Sequence, residues 1–347
     1  MTDVTTRLRE SWQLGPLTVP NRVLLAPLAG IGNWFVRLQA KRYGAGMAVS
    51  EMVSSHAIHH RNEKTCNEML RIDPRERTAG EGGPVSIQLF GEDPATMRSA
   101  AAYVVEAGAD AIDINMGCPV PKVRRTGAGA ELLADPDRAV AVARATVQGA
   151  AESGRDVPVS VKLRSGLRSG EESGFGLAHR LVAEAGVAAI GFHPRSAAVH
   201  HKGHPDYALA ARLVASLPAP VILTGGLDDP ASIEDALERT GAAAVMLARG
   251  ALGNPWLFSR LLGNSEGEPT PEQVRAELDW TIERAVEHLG EPRATRYLRK
   301  FYPWYVPRLG LSSAEAKRLQ ESLQTAETLA LARRLLAAVP GALAASV

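Results

Sequence analysis

Two cysteines in 347 residues cannot make a disulfide framework, which excludes a small cross-linked secreted scaffold. Residues 1–10 are polar and charged and lack the apolar core of an export signal, so a reducing cytoplasm is expected. No run of about 18 apolar residues occurs, and no membrane span is expected. An excess of one charge is also missing. Lys and Arg number 39 against 38 Asp and Glu, and the net charge of +1 supplies no bulk attraction to nucleic acid or membrane. A polyanionic partner would have to meet a local basic patch. No GxGxxG follows a strand: Gly127-Ala-Gly129 runs into Ala-Glu-Leu without the third glycine, which argues against a dedicated dinucleotide-binding domain. Metal-ligand spacing is absent as well. His56, His59 and His60 have neither partnering cysteines nor an HExxH frame, so they read as loop or surface residues and no metal is expected.

What is present is alternation. Short apolar, β-rich runs cover Arg22–Ala26, Met47–Ser50, Val85–Leu89, Ala111–Ile114, Val159–Leu163, Ala189–Phe192, Val221–Leu223 and Ala244–Leu247. Ala-rich helical stretches separate many of them, among them Pro94–Ala107, Pro136–Ala150, Phe175–Ala185 and Ile233–Thr240. Asp93-Pro94, Asp135-Pro136 and Asp229-Pro230 open three helices, because Asp supplies a cap oxygen and Pro suits the first helical position. Eight strands alternating with helices predict an α/β fold, a (β/α)₈ TIM barrel over residues 12–262. Residues 53–83 are polar and poorly periodic and read as an insertion or long loop. After the Gly/Pro linker that begins at Gly263 the strand pattern stops. Thr270 with Gln273, and Ser312 with Glu315, form capping boxes, and Thr328–Val339 reads as a further helix. Residues 264–347 should therefore form a small all-helical domain.

Catalytic groups of such barrels gather at the C-terminal ends of the strands. Unusual residues cluster there: Pro27-Leu28-Ala29 after the first strand, Gln88 near the end of the third, Asn115 and Cys118 after the fourth, Lys162 in the fifth, His193 and Arg195 after the sixth, Thr224-Gly225-Gly226 after the seventh, and Ala248-Arg249-Gly250 after the eighth. Cys118 lies between Gly117 and Pro119, on a loop leaving a strand, where rigid scaffolds place chemistry. Glycines after the seventh strand and Arg249-Gly250 at the eighth match the phosphate site often built there. A phosphorylated cofactor such as FMN fits, with Gln88 and Lys162 reaching its ring and the lysine answering the negative charge of the reduced form.

Leu25-Ala-Pro-Leu-Ala-Gly30, Ser50-Glu-Met52, Gln88-Leu-Phe-Gly91, Asp113-Ile-Asn-Met-Gly-Cys-Pro-Val-Pro-Lys122, Gly127-Ala-Gly129, Val161-Lys162, His193-Pro-Arg195 with Gly203-His-Pro-Asp206, and Arg249-Gly-Ala-Leu-Gly-Asn-Pro-Trp256 follow one another in order. Together they resemble the tRNA dihydrouridine synthases of bacterial type across nearly the whole chain. The resemblance implies FMN bound by Pro27, Leu28, Ala29, Gln88, Lys162, His193, Thr224, Gly225, Gly226, Ala248 and Arg249, with Cys118 as the proton donor and NADPH as the electron donor. Two departures stand out. Thr224-Gly225-Gly226 replaces an Asn-Gly-Asp-like turn, and Ile31-Gly-Asn-Trp-Phe35 replaces a Thr-Asp-containing form.

The implied reaction reduces the C5=C6 bond of a uracil ring, with hydride to C6 and a proton from Cys118 to C5. A thiol suits this role, since a reference pKa of about 8.5 keeps most of it protonated near neutrality yet able to release the proton. Asn115, Lys162 and His193 are candidates to hold the uracil carbonyls, and His193 could instead contact the cofactor phosphate. Lys122 and Arg195 are further expected substrate contacts, Lys122 on a lid formed by residues 120–131. Within the helical domain Arg293, Arg296, Arg299, Lys300 and Arg308 interleave with Tyr297, Phe301, Tyr302, Trp304 and Tyr305, a pattern suited to RNA, although some of these aromatics must pack the domain. The expected partner is tRNA, the expected state a monomer. A competing reading is a flavin enzyme of a free pyrimidine, of dihydroorotate or dihydropyrimidine dehydrogenase type, which would not need the basic helical extension. Another is a non-catalytic RNA-binding protein on a decayed barrel.

Overall fold

Runs of Val, Ile, Leu and Ala buried on both faces are what an all-parallel sheet requires, and eight of them close into a barrel in the computed structural model, which describes residues 3–80 and 82–339. The strands are β1 (Val23–Leu25), β2 (Met47–Val49), β3 (Val85–Phe90), β4 (Ala111–Met116), β5 (Val159–Arg164), β6 (Ala189–His193), β7 (Val221–Thr224) and β8 (Ala244–Leu247). Each pairs in parallel with its neighbours in sequence, and β8 pairs with β1 to complete the ring. Five strands run further than the sequence reading placed them, β3 to Phe90 and β7 to Thr224 among them. β4 continues through Asn115 and Met116, β5 through Arg164 and β6 through His193, because their polar residues point into the barrel.

The helices are α1 (Trp34–Arg42), α2 (Pro94–Glu106), α3 (Pro136–Ala151), α4 (Ser173–Ala185), α5 (Tyr207–Ser216), α6 (Pro230–Thr240) and the short α7 (Trp256–Leu261). Asp93, Asp135 and Asp229 cap α2, α3 and α6 by accepting from the N–H groups of Thr96, Arg138 and Ser232. Each such cap contributes about 1 kcal/mol.

At the N-terminal end the strands Trp12–Leu14 and Leu17–Val19 form an antiparallel hairpin that sequence reading left out. Its Trp12, Leu14 and Val19 pack with Met47, Ala111, Ala189, Ile222 and Ala244, residues at or near the starts of their strands. The hairpin is thus an apolar plug, and it leaves the opposite mouth for chemistry.

The described part of residues 53–83 is a long connection carrying short pieces: Val53–Ser54, which pairs with Leu89 and Phe90, a helix at Ser55–His59, a π-helical turn at Thr65–Met69 and a 3₁₀ turn at Pro74–Arg77. A buried ion pair anchors it. Arg37 of α1 holds Glu76 through two bonds, of 2.7 and 2.9 Å, and also donates to the carbonyls of Gly32 and Arg71. Lys41, also buried, donates to the carbonyls of Glu76 and Gly83. This satisfies three charges that would otherwise be costly to bury.

The chain divides into two compact units, one comprising the described residues to Gly250 with Leu257–Asn264, the other Ala251–Trp256 and the described residues from Ser265 onward. The second is helical: α8 (Pro271–Leu289), α9 (Glu291–Leu298), a short turn of helix at Tyr302–Tyr305, α10 (Ser313–Thr325) and α11 (Leu329–Ala337). Both capping boxes form, Thr270 with Gln273 and Ser312 with Glu315. Val274, Leu278, Ile282 and Ala285 line the buried face of α8. Residues 340–347 of the expected 264–347 domain lie outside the described residues. No helix among the described residues is long and apolar enough to cross a membrane.

Candidate active site

Strand register stacks the inward residues into layers. Gln88 stands opposite Asp113, and Asp113 opposite Ser160. One step nearer the C-terminal mouth Asn115 stands opposite Lys162, and Lys162 opposite Gly191; above them Arg164 stands opposite His193. Because side chains two residues apart share a face, β3 to β6 present a polar wall. Ala26, Val49, Met246 and Ala248 on the other side are apolar.

The lowest polar layer is a closed network. Asp113 is 2% exposed and Gln88 is fully buried. Gln88 Nε2 donates to Asp113 at 2.6 Å, Ser160 Oγ donates to the other carboxylate oxygen at 2.6 Å, and Asn115 Nδ2 donates to Gln88 Oε1 at 2.8 Å. Asn115 Oδ1 in turn accepts from the N–H groups of Gly117 (3.2 Å) and Cys118 (2.9 Å). Burial pushes the Asp113 carboxyl up, to about 6, opposed by the Gln88 and Ser160 bonds and by Lys162. The second strand helps to shape this layer. It breaks at Ser50-Glu51-Met52, where Ser50 Oγ accepts from the N–H of Gln88 and Met52 Sδ lies 3.7 Å from Asn115 Nδ2. The break turns Glu51 toward the loop after β1, where its carboxylate accepts from the N–H of Gly30.

The Cys118 loop is held from both sides. Arg164 Nε donates to the Gly117 carbonyl at 2.8 Å, and the N–H of Ala130 donates to the Cys118 carbonyl at 3.1 Å. Arg164 also donates to the carbonyls of Ser196 and His200, tying the loops after β4 and β6 together. Cys118 is half-buried. Lys162 and Arg164 both lie within Coulombic reach of it.

The mouth is electropositive. Burial first, then Arg164, lowers Lys162 to about 8, and burial lowers Arg164 to about 10. His193 is driven well below its ordinary range by burial and then by Lys162, Arg164 and Arg195, so it is neutral at pH 7. Its Nε2 accepts from Arg195 at 3.3 Å, and its ring stacks on His201 with centroids 6.0 Å apart. Gly225 and Gly226 follow β7 with φ of 98° and 75°. A Cβ at Gly225 would stand 2.4 Å from the His193 ring, so glycine is what lets the turn pass that histidine. Two buried donors in the loop after β6, Arg195 Nε and Ser196 Oγ, have no partner among the described residues. Unsatisfied buried donors cost about 1–3 kcal/mol each. With the crowded cations they fit an anionic group such as a phosphate, with Arg249 exposed at the rim.

The residues singled out in sequence are distributed unevenly. Asn115, Cys118, Lys162 and His193 gather at the mouth, and Thr224, Gly225 and Gly226 adjoin His193. Gln88 lies beneath, its amide engaged by Asp113 and Asn115. Arg195 is buried, donating to His193 and to the Gly203 carbonyl. Leu28 is buried, Pro27 half-buried and Ala29 exposed. Residues 120–131 contain a helical turn, Pro121–Arg124, closed by an Arg124–Glu131 ion pair, and Lys122 is exposed on it. Arg164, His201 and the roles of Asp113 and Ser160 were missed. The two-residue step from Lys162 to Arg164, and from Asp113 to Asn115, is the signal that could have found two of them. No group of three or more His, Cys, Asp or Glu suited to a metal ion occurs among the described residues.

In the helical unit Phe301, Tyr302 and Tyr305 are core residues, and Thr281 Oγ1 meets Tyr305 Oη at 3.2 Å. Arg299 turns inward to the Ala326 carbonyl, and Arg308 pairs with Glu268 at 3.6 Å. Arg293, Arg296 and Lys300 are exposed at spacing i, i+3, i+7, one basic face of α9 and its end, opposite buried Ala294 and Leu298. Tyr297 and Trp304 are half-buried.

The family described as Dihydrouridine synthase (Dus) matches residues 24–339. The tRNA-dihydrouridine synthase B of Xanthomonas axonopodis pv. citri is 36% identical over 341 residues, covering 95% of this chain and 98% of that protein. The protein of the same name from Pseudomonas aeruginosa is 34% identical over 319 residues, covering 89% and 92%. Among solved structures, morphinone reductase aligns with a TM-score of 0.53 at 20% identity, over 77% of this chain and 92% of that one, a likeness of barrel fold.

Proposed function

The chain belongs to the dihydrouridine synthase family and is an enzyme of that class, and from this premise we propose that it reduces the C5=C6 bond of a uridine in tRNA to give 5,6-dihydrouridine, with FMN as cofactor and NADPH as electron donor, in the cytoplasm. The observation that carries the reading is the placement of Cys118. Its loop is pinned by Asn115 and Arg164 at the rim of a cationic barrel mouth, half-exposed and within Coulombic reach of Lys162 and Arg164.

The residues present fit FMN. His193, Thr224, Gly225, Gly226, Ala248 and Arg249 would hold its phosphate end, helped by the unpartnered donors of Arg195 and Ser196. Pro27, Leu28, Ala29, Gln88 and Lys162 would line its ring. When bound, FMN would supply the hydride equivalent for C6 of the uracil. The protein supplies the rest. Hydride addition leaves negative charge spread over C5 and O4, and Cys118 donates its proton to C5. The sulfur is left as a thiolate until solvent returns a proton. Lys162 and Asn115 stand opposite each other in register below that loop and would hold the uracil carbonyls.

A base must leave its stack to enter such a mouth. Arg293, Arg296 and Lys300 would answer RNA phosphates, and half-buried Tyr297 and Trp304 are the aromatics of the run that keep exposed surface. Arg299 and Arg308 would act within the helical domain. The test is direct. Purified protein should be yellow and release FMN on denaturation, and tRNA from cells lacking it should lose dihydrouridine at one or more positions. A colourless protein that takes up no FMN, or an unchanged dihydrouridine map, would overturn the reading.

A further inference from the structure

We propose that Asp113 is a positioning residue for the Cys118 loop, a buried carboxylate that sets the direction of a two-amide relay through Gln88 and Asn115 to the backbone of Cys118. A carboxylate only accepts. Facing it at 2.6 Å, Gln88 must present Nε2 and turn Oε1 away. That oxygen accepts from Asn115 Nδ2 at 2.8 Å, so Asn115 must turn Oδ1 toward the loop, where the N–H groups of Gly117 and Cys118 donate to it. Reversing either amide would set N–H against N–H. One group at the base of the chain thus decides the polarity of every link above it.

Ser160 cannot do this in its place, because a hydroxyl both donates and accepts; here it donates to the second carboxylate oxygen and completes the anchor. The charged group facing Asp113 is Lys162, from β5; Gln88 from β3 and Ser160 from β5 are neutral. When Asp113 takes up a proton it becomes a donor and the relay loses its direction. Burial brings that event close to neutral pH. Asp113 lies below the reacting groups and touches none of them, so its action is through Asn115.

This inference rests on the reading of Cys118 as proton donor, and the test separates the two. Asp113→Asn and Asp113→Leu would be prepared with FMN bound, in a Cys66→Ala background. Three quantities would be measured: flavin reduction by NADPH, alkylation of Cys118 by iodoacetamide without substrate, and single-turnover reoxidation by tRNA from pH 5 to 8. D113N mimics the protonated acid at every pH, since its amide can present either a donor or an acceptor to Gln88. Reoxidation at pH 7.5 should drop to the slowed rate that the parent shows near pH 5, and the parent's pH dependence should flatten. D113L removes the acceptor. Reoxidation should slow at least tenfold at unchanged KM for tRNA, flavin reduction should persist, and the alkylation rate should change with the loop. D113L at the parent rate, or D113N keeping the parent's pH profile, would overturn the proposal; the D113N profile decides alone should D113L not fold. Failure of the parent itself to be reoxidised by tRNA would reject the Cys118 reading, and the alkylation rates would still report on the relay.

Discussion

Replacing Gly225 by alanine should damage the protein in two separable ways. The residue sits at φ 98°, outside the region open to L side chains, and its Cβ would stand 2.4 Å from Cδ2 and Nε2 of His193. His193 has little room to yield, since it is 5% exposed, accepts from Arg195 and stacks on His201. Gly186 supplies the control. It ends α4 at φ 71°, with nothing within 4 Å of an added Cβ. Gly186→Ala should therefore cost only the backbone strain, about 1–2 kcal/mol. Gly225→Ala should add an overpacking cost of about 1–3 kcal/mol, for a total of about 2–5 kcal/mol. Urea unfolding of both variants gives these values, and fluorescence titration with FMN gives the second effect. Displacing the turn or His193 should spoil the proposed phosphate end, so FMN should bind at least tenfold more weakly to G225A and normally to G186A. Equal destabilisation of the two variants, with equal FMN affinity, would refute the reasoning.

Cys118→Ala should leave flavin reduction by NADPH intact and slow single-turnover reoxidation by tRNA by about 10²–10⁴-fold, the usual contribution of a general acid; Cys66→Ala should alter neither step. Arg249→Ala removes an exposed cation from the rim of the phosphate end, and should lower FMN retention through gel filtration without changing the urea midpoint of the apoprotein. Asp73 is held down at about 2, chiefly by its hydrogen bond to Arg75, from an ordinary value of 3.8. Its contribution is therefore full above pH 4 and fades as the pH falls toward 2. Asp73→Asn keeps the cap on Pro74–Arg77 but loses the charge. It should be less stable than wild type by about 1–2 kcal/mol at pH 6, since both arginines remain partly in solvent, with the gap closing below pH 3 in denaturant titrations.

The barrel was readable because parallel strands buried on both faces leave apolar runs that survive in one dimension, and Asp-Pro pairs mark where helices begin. Asn115, Arg164 and His193 fell outside the strands as read from sequence because polarity at a strand end resembles solvent exposure; the register shows that they still belong to the ladder. Arg37, Lys41 and Glu76 carried no signal, since their pairing spans residues 37–76 and depends on tertiary contact. The plug formed by Trp12–Val19 was hidden for a related reason: strands of three residues are too short for alternation to emerge. In the helical domain the aromatic run mixed two roles. Phe301, Tyr302 and Tyr305 build the core while Tyr297 and Trp304 keep exposed surface, a division set by a tight turn rather than by composition. The Gly225–His193 contact was legible only as a glycine pair, and Asp113 only as part of a motif without a role.

The central claim is that the cationic mouth reduces uridine within tRNA. It is tested most directly by mixing the NADPH-reduced, flavin-loaded protein with unmodified tRNA, free uracil or orotate under anaerobic conditions, and following flavin absorbance. Reoxidation by tRNA alone, with dihydrouridine recovered from the RNA in step with flavin turnover, is the predicted result. Reoxidation by a free pyrimidine with tRNA inert would contradict the account.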